Sequence, residues 1–525
     1  DADAHAGGAL SGPLASALRP AALRGYAPVL RPAGEPSAAR VRLQSTDDEA
    51  WVLRYHDPRL ADAARLRELI LLLNDDARAA DGIALRGPDA AGDAPAMTVK
   101  AVMPNWLLAS APKTHTGAGP GSQPMPAPAP NPGAAQFPKV DAFLAHFAAG
   151  PTVPAEVVVA ILDTCPAEAD VQAAAATRFP AHALLADVAA NVRIGRPPSL
   201  APGAFAHLDP DQVDASAVTV NWRDAFDADN AAYAMPDHGL FVAGMVRSIA
   251  PGAEVHLIRA LSDNGVGDMF ALIQLLTQLP DALGIGDGRR LVVNLSLVAD
   301  IPSPAEMQEE WLPDTVGQPL TEAEAAQLQA IWRGAHAALH QAIQWLNTQK
   351  GVLVVAAAGN DALGVGARPA PRVPAAYDEV LSVAATALGD RPASYSNGGD
   401  VPGSTPNGVA TFGGNARAGI VGQPPQVVDR QGNAVGPATP PADVDAVRGL
   451  FISSRFPLSA WTNATGWAFW SGTSFAAPIA AAIAARVWAR HGDWLPGTLI
   501  AALRQPPGTV TASSAELGTP VIAVR

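Results

Sequence analysis

Short apolar runs recur along the chain after residue 156, and they constrain its fold more than any other feature. They are rich in Val, Leu and Ala, and longer stretches with helical periodicity separate them. Runs that are apolar on both faces are typical of parallel strands covered by helices on both sides of a sheet. The sequence therefore predicts an α/β fold with a doubly wound, mostly parallel sheet. The predicted strands are VVVAIL (157–162), AEVHLI (253–258), LVVNLSL (291–297), VLVVAAA (352–358) and EVLSVA (379–384).

The segment from Thr321 to Glu324 predicts the start of one long helix. It reads Thr-Glu-Ala-Glu, which is a capping box: the Thr hydroxyl and the Glu carboxylate each pair with a backbone N–H group at the helix start. An amphipathic pattern continues from there toward Lys350. We therefore expect a long helix between the third and fourth predicted strands.

The composition before the first of these strands divides the chain into separate units. The first residues mix Ala, Gly and Pro without periodicity, which predicts a poorly ordered lead-in. Strand-like and helical patterns then predict a small α/β unit. A stretch dominated by Pro, Gly and Ala follows, and we expect it to be an extended, exposed linker without helix or sheet. The predicted boundaries are 1–25 (lead-in), 26–111 (small α/β unit), 112–140 (linker) and 141–525 (main domain).

Charge and cysteine content exclude several classes of function. The formal net charge is −14 and no dense Lys/Arg cluster is present, whereas a nucleic-acid partner would require a basic face. Cys165 is the only cysteine, so the sequence holds neither an intramolecular disulfide nor a Cys-rich zinc site. No uncharged apolar run reaches the roughly 18 residues of a membrane-spanning helix. We therefore expect no nucleic-acid partner and no transmembrane segment.

Four polar residues lie where α/β proteins usually carry their reactive groups, beyond the carboxyl ends of the strands. Asp163 ends a strand, Asn360 follows another, and His238 and Ser474 each open a helical stretch. In one site, the carboxylate would orient the imidazole, the imidazole would take the hydroxyl proton, and the serine oxygen would attack a carbonyl. The Asn360 amide would then stabilise the oxyanion.

Each of these residues alone also has a structural explanation. Ser474 could simply cap a helix, and Asp163 and Asn360 could be ordinary turn residues. Their joint occurrence in the order Asp, His, Asn, Ser, each within an extended motif, favours a catalytic site.

These motifs resemble those of the subtilisin-like serine peptidases, the subtilases. They are AILDTCP around Asp163, DHGLFVAGMV around His238, VVAAAGND around Asn360 and SGTSFAAP around Ser474. The resemblance covers about residues 150 to 525, and SGTSFAAP is its most specific part. It implies that Asp163, His238 and Ser474 form a catalytic triad, with Asn360 and the Ser474 backbone N–H as the oxyanion hole. Asp-His-Ser is also the chain order of the triad in subtilisin.

Two further segments resemble the edges of the family's substrate cleft. Together they would hold an extended peptide by strand addition, which favours a polypeptide substrate over a small ester. Either segment alone could be an ordinary strand-end loop. Val298 and Ala299 stand where relatives often carry Gly-Gly, so we expect a narrowed pocket and a preference for small residues before the scissile bond. The expected substrate-binding residues are Gly265, Val266 and Gly267 in ALSDNGVGDMF, and Ser296, Leu297 and Val298 in NLSLVA.

The sequence also departs from the family pattern. Cys165 replaces a Gly of the Asp motif, and we expect it to be a small packing residue rather than a reactive thiol. Phe241 replaces a second His that is not the general base. VAGMV runs directly into IAPGAEVHLI, without the calcium-binding loop that many subtilases insert there, so we expect no principal calcium site and no required cofactor. Three nearby carboxylates leave a weaker calcium site open, although they lack EF-hand spacing: Asp224, Asp227 and Asp229.

The small α/β unit has a counterpart in the same family. Many secreted subtilases carry a propeptide of this kind, which assists folding and whose tail lies in the active cleft. VMPNWLLASA, residues 102–111, resembles the closing strand and tail of such a propeptide. Pro112 would follow a cut after Ala111, so we expect processing at a neighbouring residue or within the linker. An accessory domain unrelated to maturation is the alternative.

The resemblance thus implies a serine endopeptidase that hydrolyses polypeptides through an acyl-enzyme intermediate, with its own N-terminal unit as a partner in cis. It also implies a secreted or periplasmic location. The alternatives are an esterase with the same triad and a catalytically silent protein-binding relative. The Gly/Pro-rich stretch 398–446 is expected to be an insertion, and its role as a lid, an exosite or a bare loop stays open.

Overall fold

The computed structural model of the chain describes most of the predicted main domain and short pieces of what precedes it. Outside these residues lie the predicted lead-in 1–25 and most of the linker. The described residues are 40–44, 49–53, 67, 70–71, 74, 83–85, 97–99, 103, 107–109, 124–131, 136–147, 155–195, 235–263, 265–286, 288–299, 301–312, 315–363, 365–417, 426–427, 444–456, 462–505 and 512–525.

Between residues 156 and 357, the described strands alternate with helices. The strands are β1 (Arg40–Gln44), β2 (Glu49–Leu53), β3 (Ile83–Leu85), β4 (Met97–Val99), β5 (Leu107–Ala109), β6 (Met125–Pro126), β7 (Glu156–Asp163), β8 (Val192–Gly195), β9 (Glu254–Arg259), β10 (Val266–Asp268), β11 (Arg289–Leu295), β12 (Val298–Ala299), β13 (Leu353–Ala357), β14 (Val380–Thr386), β15 (Gly408–Phe412), β16 (Ala416–Arg417), β17 (Gln426–Val427), β18 (Val447–Leu450) and β19 (Trp467–Trp470). The α-helices are α1 (Val140–Leu144), α2 (Glu168–Ala173), α3 (Ala183–Asn191), α4 (His238–Ile249), α5 (Met269–Ala282), α6 (Pro304–Trp311), α7 (Glu322–Lys350), α8 (Thr473–Trp488), α9 (Pro496–Leu503) and α10 (Ala512–Leu517).

A seven-stranded sheet forms the centre of the fold, with the strand order β15-β14-β13-β11-β7-β9-β8. All of its neighbouring strands pair in parallel. The chain therefore builds outward in both directions from β7, with β9 on one side and β11 on the other. In such sheets the crevice at the carboxyl ends of the strands near this reversal is where ligands bind. The predicted doubly wound parallel sheet is confirmed.

Both faces of the sheet are covered, as the apolar runs predicted. In β7, Val157, Val159 and Ile161 pack in one core with residues of α4 and α8. The alternating residues Val158, Ala160 and Leu162 pack in a second core with residues of α5 and α7. Burial on both faces explains why these strands read as continuous apolar runs rather than as alternating patterns.

The long predicted helix is confirmed as α7. Its capping box is present: Glu324 N–H donates to Thr321 Oγ1 at 3.3 Å, and Thr321 N–H donates to a Glu324 carboxylate oxygen at 2.8 Å. The helix ends where Gly351 adopts a left-handed conformation with φ of 61°, which glycine adopts without steric cost.

One strand of the central sheet lies inside the predicted 398–446 insertion. The residues of β15 are fully buried and pair in register with β14, with Val383 opposite Val409. The expectation that the whole stretch is an insertion was therefore wrong for 408–412. The segment GVATF is short and lies within a Gly/Pro-rich stretch, and the composition of that surrounding stretch led to the expectation of an insertion. Residues 418–425 and 428–443 lie outside the described residues.

Part of the predicted linker also belongs to the folded domain. Met125 and Ala127 are buried, and β6 pairs with β19 in a three-stranded sheet completed by β18. Ala127 N–H donates to Trp467 O at 3.2 Å, and the Thr465 hydroxyl donates to Ala127 O at 2.8 Å. The expectation of an exposed segment without sheet was therefore wrong for 125–127. Prolines alternate with Met and Ala here, and a strand at the edge of a sheet tolerates prolines because it needs N–H donors on one side only.

Short pieces of the predicted small α/β unit are also described. They include the antiparallel pairs β1–β2 and β3–β4. Ile70 is buried in a cluster with Met307, Leu328 and Ile331, so the unit contacts α6 and α7. Among the described helices, none has the length and apolar character that crossing a membrane requires.

We expect Ala127→Asp to destabilise the main domain, because it places a carboxylate in a buried position that is 3% exposed. The free energy of unfolding should fall by about 3 kcal/mol, measured by urea denaturation. Ala129→Asp is the matched control: it makes the same change two residues later at an exposed position and should cost less than about 0.5 kcal/mol. Equal effects of the two variants would show that this segment is a plain linker.

Candidate active site

Asp163 and His238 form a buried pair at the carboxyl end of the central strand. Asp163 is the last residue of β7 and His238 the first of α4. His238 Nδ1 lies 2.7 Å from Asp163 Oδ1, and the two residues are 4% and 0% exposed. The same carboxylate oxygen accepts a hydrogen bond from the Thr164 N–H at 2.6 Å. A carboxylate in this position accepts the Nδ1 proton, so Nε2 is the nitrogen that can act as a base.

Thr164 and Gly239 position the turn that carries His238. The Thr164 hydroxyl donates to the carbonyl oxygens of Met235 and Pro236 at 3.1 and 3.0 Å and accepts from the Gly239 N–H at 3.1 Å. A Cβ on Gly239 would lie 2.0 Å from the Thr164 carbonyl oxygen, so only glycine fits. Both residues stand in the motifs that the sequence singled out, but their role is visible only from these contacts.

Ser474 lies in the first turn of α8, as predicted, and is held against Ser296. The Ser296 hydroxyl donates to Ser474 O at 2.7 Å, while the Ser474 hydroxyl donates to Ser296 O at 3.3 Å. Asn294 Nδ2 donates to the Ser296 hydroxyl at 3.0 Å. These bonds fix the backbone of the predicted nucleophile to the segment that follows β11.

Aromatic rings bring the helix of His238 next to the turn of Ser474. The His238 ring centroid lies 5.2 Å from that of Phe475 and 5.2 Å from that of Trp470, whose edge meets it at 88°. Among the described residues, the Ser474 hydroxyl bonds to Ser296 and not to His238. Catalytic hydrogen bonds are often long or unformed without substrate, so the arrangement is compatible with a triad.

Asn360 follows β13 and is oriented by the residue before Ser474. Its Oδ1 accepts from both the N–H and the hydroxyl of Thr473, at 3.0 and 2.9 Å. The other end of the carboxamide, Asn360 Nδ2, is near Gly472: a Cβ added to this glycine would lie 3.7 Å from Nδ2. Thr473 therefore fixes the Asn360 carboxamide beside the turn of Ser474, a role that its residue type alone did not reveal.

The two predicted edges of the substrate cleft lie on either side of another strand of the same chain. The strand β5 pairs antiparallel with β10 and with β12, and Ala109 stands opposite both Val266 and Val298. Gly265 precedes β10 with a φ of 72°. A Cβ on Gly267 would lie 2.5 Å from the Ala260 carbonyl oxygen, so the backbone here requires glycine. The gap between these edges thus has the width of one extended strand.

Ser296 and Leu297 connect this predicted cleft to the turn of Ser474. Both are fully buried, and they lie between β11 and β12. Ser296 bonds to Ser474, and the two residues after Leu297 form the β12 edge. All four predicted catalytic residues and both predicted cleft edges therefore lie around one end of the sheet.

Cys165 and Phe241, where the sequence departs from the family pattern, are both packing residues. Cys165 is 3% exposed and its thiol points to Leu257 O at 3.7 Å. Burial raises the pKa of this thiol to about 12, so it is protonated at neutral pH. The Phe241 ring contacts Trp470 and Phe475, with ring centroids 5.7 and 4.7 Å apart. The structure supports the expected packing role of Cys165.

The residues considered for a weaker calcium site, Asp224, Asp227 and Asp229, lie outside the described residues. Within the part of the chain that is described, no three His, Cys, Asp or Glu side chains are grouped as metal ligands would be. The expectations on calcium stay predictions.

Comparison with known proteins gives the family. The sequence profile of the subtilase family matches residues 155–514, which is more than half of the chain. The chain belongs to the subtilase family. Subtilases are serine peptidases, and the family assigns this activity and polypeptide substrates to the chain. No curated protein matches it significantly. The crystal structure of a cold adapted subtilisin-like serine proteinase is similar at 17% identity, with a TM-score of 0.35, covering 70% of this subtilase and 89% of that chain.

We expect Cys165 of this subtilase to resist iodoacetamide and mercurials at pH 8, because its thiol is buried and protonated. Intact mass should show no adduct on the native chain and one adduct after denaturation in urea, and native activity should be unchanged by the reagents. Native alkylation as fast as that of the denatured chain would contradict the packing role.

Proposed function

We propose that the chain is a serine endopeptidase in which Asp163, His238 and Ser474 form the triad. His238 Nε2 takes the Ser474 proton, and the serine oxygen attacks the carbonyl carbon of the peptide bond. Asp163 holds the imidazole tautomer and stabilises the imidazolium that forms. The same proton then passes to the leaving amine, and water hydrolyses the acyl-enzyme by the reverse sequence of proton transfers.

The observation that carries this proposal is the buried 2.7 Å hydrogen bond between Asp163 and His238 beside the turn of Ser474. Burying a carboxylate costs free energy unless it is paired. Here its partner is an imidazole at the carboxyl ends of the strands, where α/β sheets bind ligands. If Ser474 only capped a helix, neither the Asp163–His238 pair nor the location of that pair beside Ser474 would be explained.

The oxyanion hole is proposed to consist of the Asn360 side-chain amide and the Ser474 backbone N–H. Thr473 orients the amide through two hydrogen bonds. Ser474 lies in the first turn of a 16-residue helix, where unpaired N–H groups and the helix dipole favour negative charge.

Polypeptides fit the cleft better than small esters do, because its two edges already hold an extended strand, β5. Main-chain pairing of this kind gives affinity for peptides of varied sequence. The side chains of Val298 and Ala299 lie on one of these edges, and we propose that they favour small residues before the scissile bond.

The test of the proposed function is the digestion of a denatured protein, with the cut sites sequenced. The wild type should cleave it, Ser474→Ala should not, and Asn360→Ala should lower kcat about 100-fold or more, because loss of one oxyanion donor costs about 2.7 to 4 kcal/mol. All three should share one circular dichroism spectrum.

Substrate choice separates the alternatives. Hydrolysis of esters but not of peptides would identify an esterase with the same triad. Hydrolysis of neither, by a folded wild type from which the N-terminal unit has been removed, would identify a silent protein-binding relative and contradict the proposal. An unchanged kcat in Asn360→Ala would remove that residue from the site.

We also propose that the small α/β unit, residues 26–111, is a propeptide-like partner in cis. Its strand β5 lies between the two cleft edges, where it would block a substrate. Ile70 of the same unit packs against residues of α6 and α7. A secreted or periplasmic location is proposed on the family resemblance.

Self-processing should therefore cut the chain between residues 110 and 124. The cut must follow β5, and it must precede Met125, because β6 pairs with β19 of the main domain. The Ala111–Pro112 bond is disfavoured within this range, since a proline would follow the scissile bond. Intact mass and N-terminal sequencing should show this cut in the wild type and a full-length Ser474→Ala chain. A wild type that stays full length would contradict self-processing.

A further inference from the structure

Asp237, the residue before His238, has a buried carboxyl group that the proposed chemistry does not use. It is 1% exposed and occupies the N-cap position of α4, but its side chain does not cap that helix. Instead, its Oδ2 accepts hydrogen bonds from the backbone N–H groups of Ile452 and Ser453, at 3.0 and 2.6 Å. Burial raises the pKa of this carboxyl, and the bonds from the 452–453 segment oppose that effect.

The segment to which Asp237 bonds continues the strand β18. This strand pairs with β19, and β19 leads directly into the turn of Ser474. Other groups hold the same segment in place: Arg178 Nη1 donates to Ile452 O at 2.5 Å. Asn463 Nδ2 donates to the carbonyl oxygens of Phe451 and Ser453, at 2.6 and 3.1 Å. Asp237 therefore bonds to a fixed part of the sheet that carries the serine.

Apolar contacts meet at the same boundary. Trp470 of β19 places its edge on the His238 ring. Phe241 of α4 packs so closely against β18 that a Cβ on Gly449 would lie 2.6 Å from its ring. The Asp237 carboxylate adds hydrogen bonds, which are directional, to contacts that by themselves allow small rotations.

The His238 turn is thus held from two sides. Thr164 ties it to the end of β7, where Asp163 stands. Asp237 ties it to the sheet that leads to Ser474. An imidazole that takes a proton from a hydroxyl while a carboxylate orients it needs both distances to be right at once, and an error of about 1 Å can cost about 100-fold in rate.

We propose that Asp237 is a positioning residue, which acts through His238 by fixing the imidazole relative to Ser474. This inference rests on the proposed function of the triad. Its carboxylate does not contact the reacting atoms, and replacing it should change the rate of the chemical step rather than substrate binding.

The experiment expresses Asp237→Ala, Asp237→Asn and Asp400→Ala as full chains and compares them after the N-terminal unit has been removed. Asp400 is the matched control because its Oδ1 also accepts two consecutive backbone N–H bonds, from Asn407 and Gly408 at 2.9 and 2.7 Å, next to the edge strand β15. Peptide hydrolysis is measured well below the unfolding temperature of each variant. The low-field proton resonance of His238 Nδ1–H is recorded by NMR.

We expect Asp237→Ala to lower kcat about 10-fold or more with KM within about twofold, and to weaken or shift the His238 resonance. Asp237→Asn keeps an oxygen acceptor and should recover most of the lost kcat, although it loses stability. Asp400→Ala should lose stability but keep kcat and the resonance. If Asp237→Ala does not fold, Asp237→Ser, whose hydroxyl is too short to reach both N–H groups, takes its place in the comparison.

The positioning role is overturned if Asp237→Ala keeps the wild-type kcat and resonance, or if Asp400→Ala loses as much kcat as Asp237→Ala. It is also overturned if Asp237→Asn recovers none of the loss. The NMR signal separates this failure from failure of the proposed function. A wild type that shows the resonance but hydrolyses no peptide after removal of the N-terminal unit disproves the function, while the resonance in the variants still tests the position of His238.

Discussion

The buried hydrogen bond between Asp163 and His238 is the contact on which the proposed chemistry depends, and distant parts of the chain are needed to make it. Asp163 stands at the end of β7, which has a neighbouring strand on either side and helices over both faces. The carboxylate is therefore held by a strand that is buried on both faces of the sheet. His238 begins a helix, and its position depends on Thr164 and, in our proposal, on Asp237. A buried carboxylate is stable here because it has both an imidazole and a backbone N–H as partners.

The segment from Asn294 to Ala299 couples the proposed nucleophile to the proposed cleft. It ends β11 in the central sheet, exchanges two hydrogen bonds with Ser474 through Ser296, and then forms the β12 edge. A peptide that pairs with this edge is therefore placed by the same backbone that places the serine. The chain's own strand β5 already occupies this position. One short segment thus links the packing of the sheet, the turn of Ser474 and the strand β5.

The sequence predicted the parts of the fold that are buried on both faces and the residues that form motifs. The runs of β7 and β11 are apolar throughout, so their burial could be inferred without contacts. Strand β6 was missed because it is short, contains proline and pairs with a strand far away in sequence. Strand β15 was missed because it is short and lies within a Gly/Pro-rich stretch. Thr473 and Asp237 were missed for a related reason: a threonine or an aspartate at a helix start is an ordinary capping residue. Only the three-dimensional contacts show that one orients Asn360 and that the other reaches the 452–453 segment.

The most direct test of the account is to react the folded chain with a fluorophosphonate probe and to locate the adduct by peptide mapping. An activated serine forms this adduct, whereas a helix-capping serine does not. The account predicts a single adduct on Ser474 in the active form of the wild type, and none on this residue in His238→Ala at the same probe concentration. A wild type that stays unlabelled after removal of the N-terminal unit, or that is labelled on another serine, would contradict it.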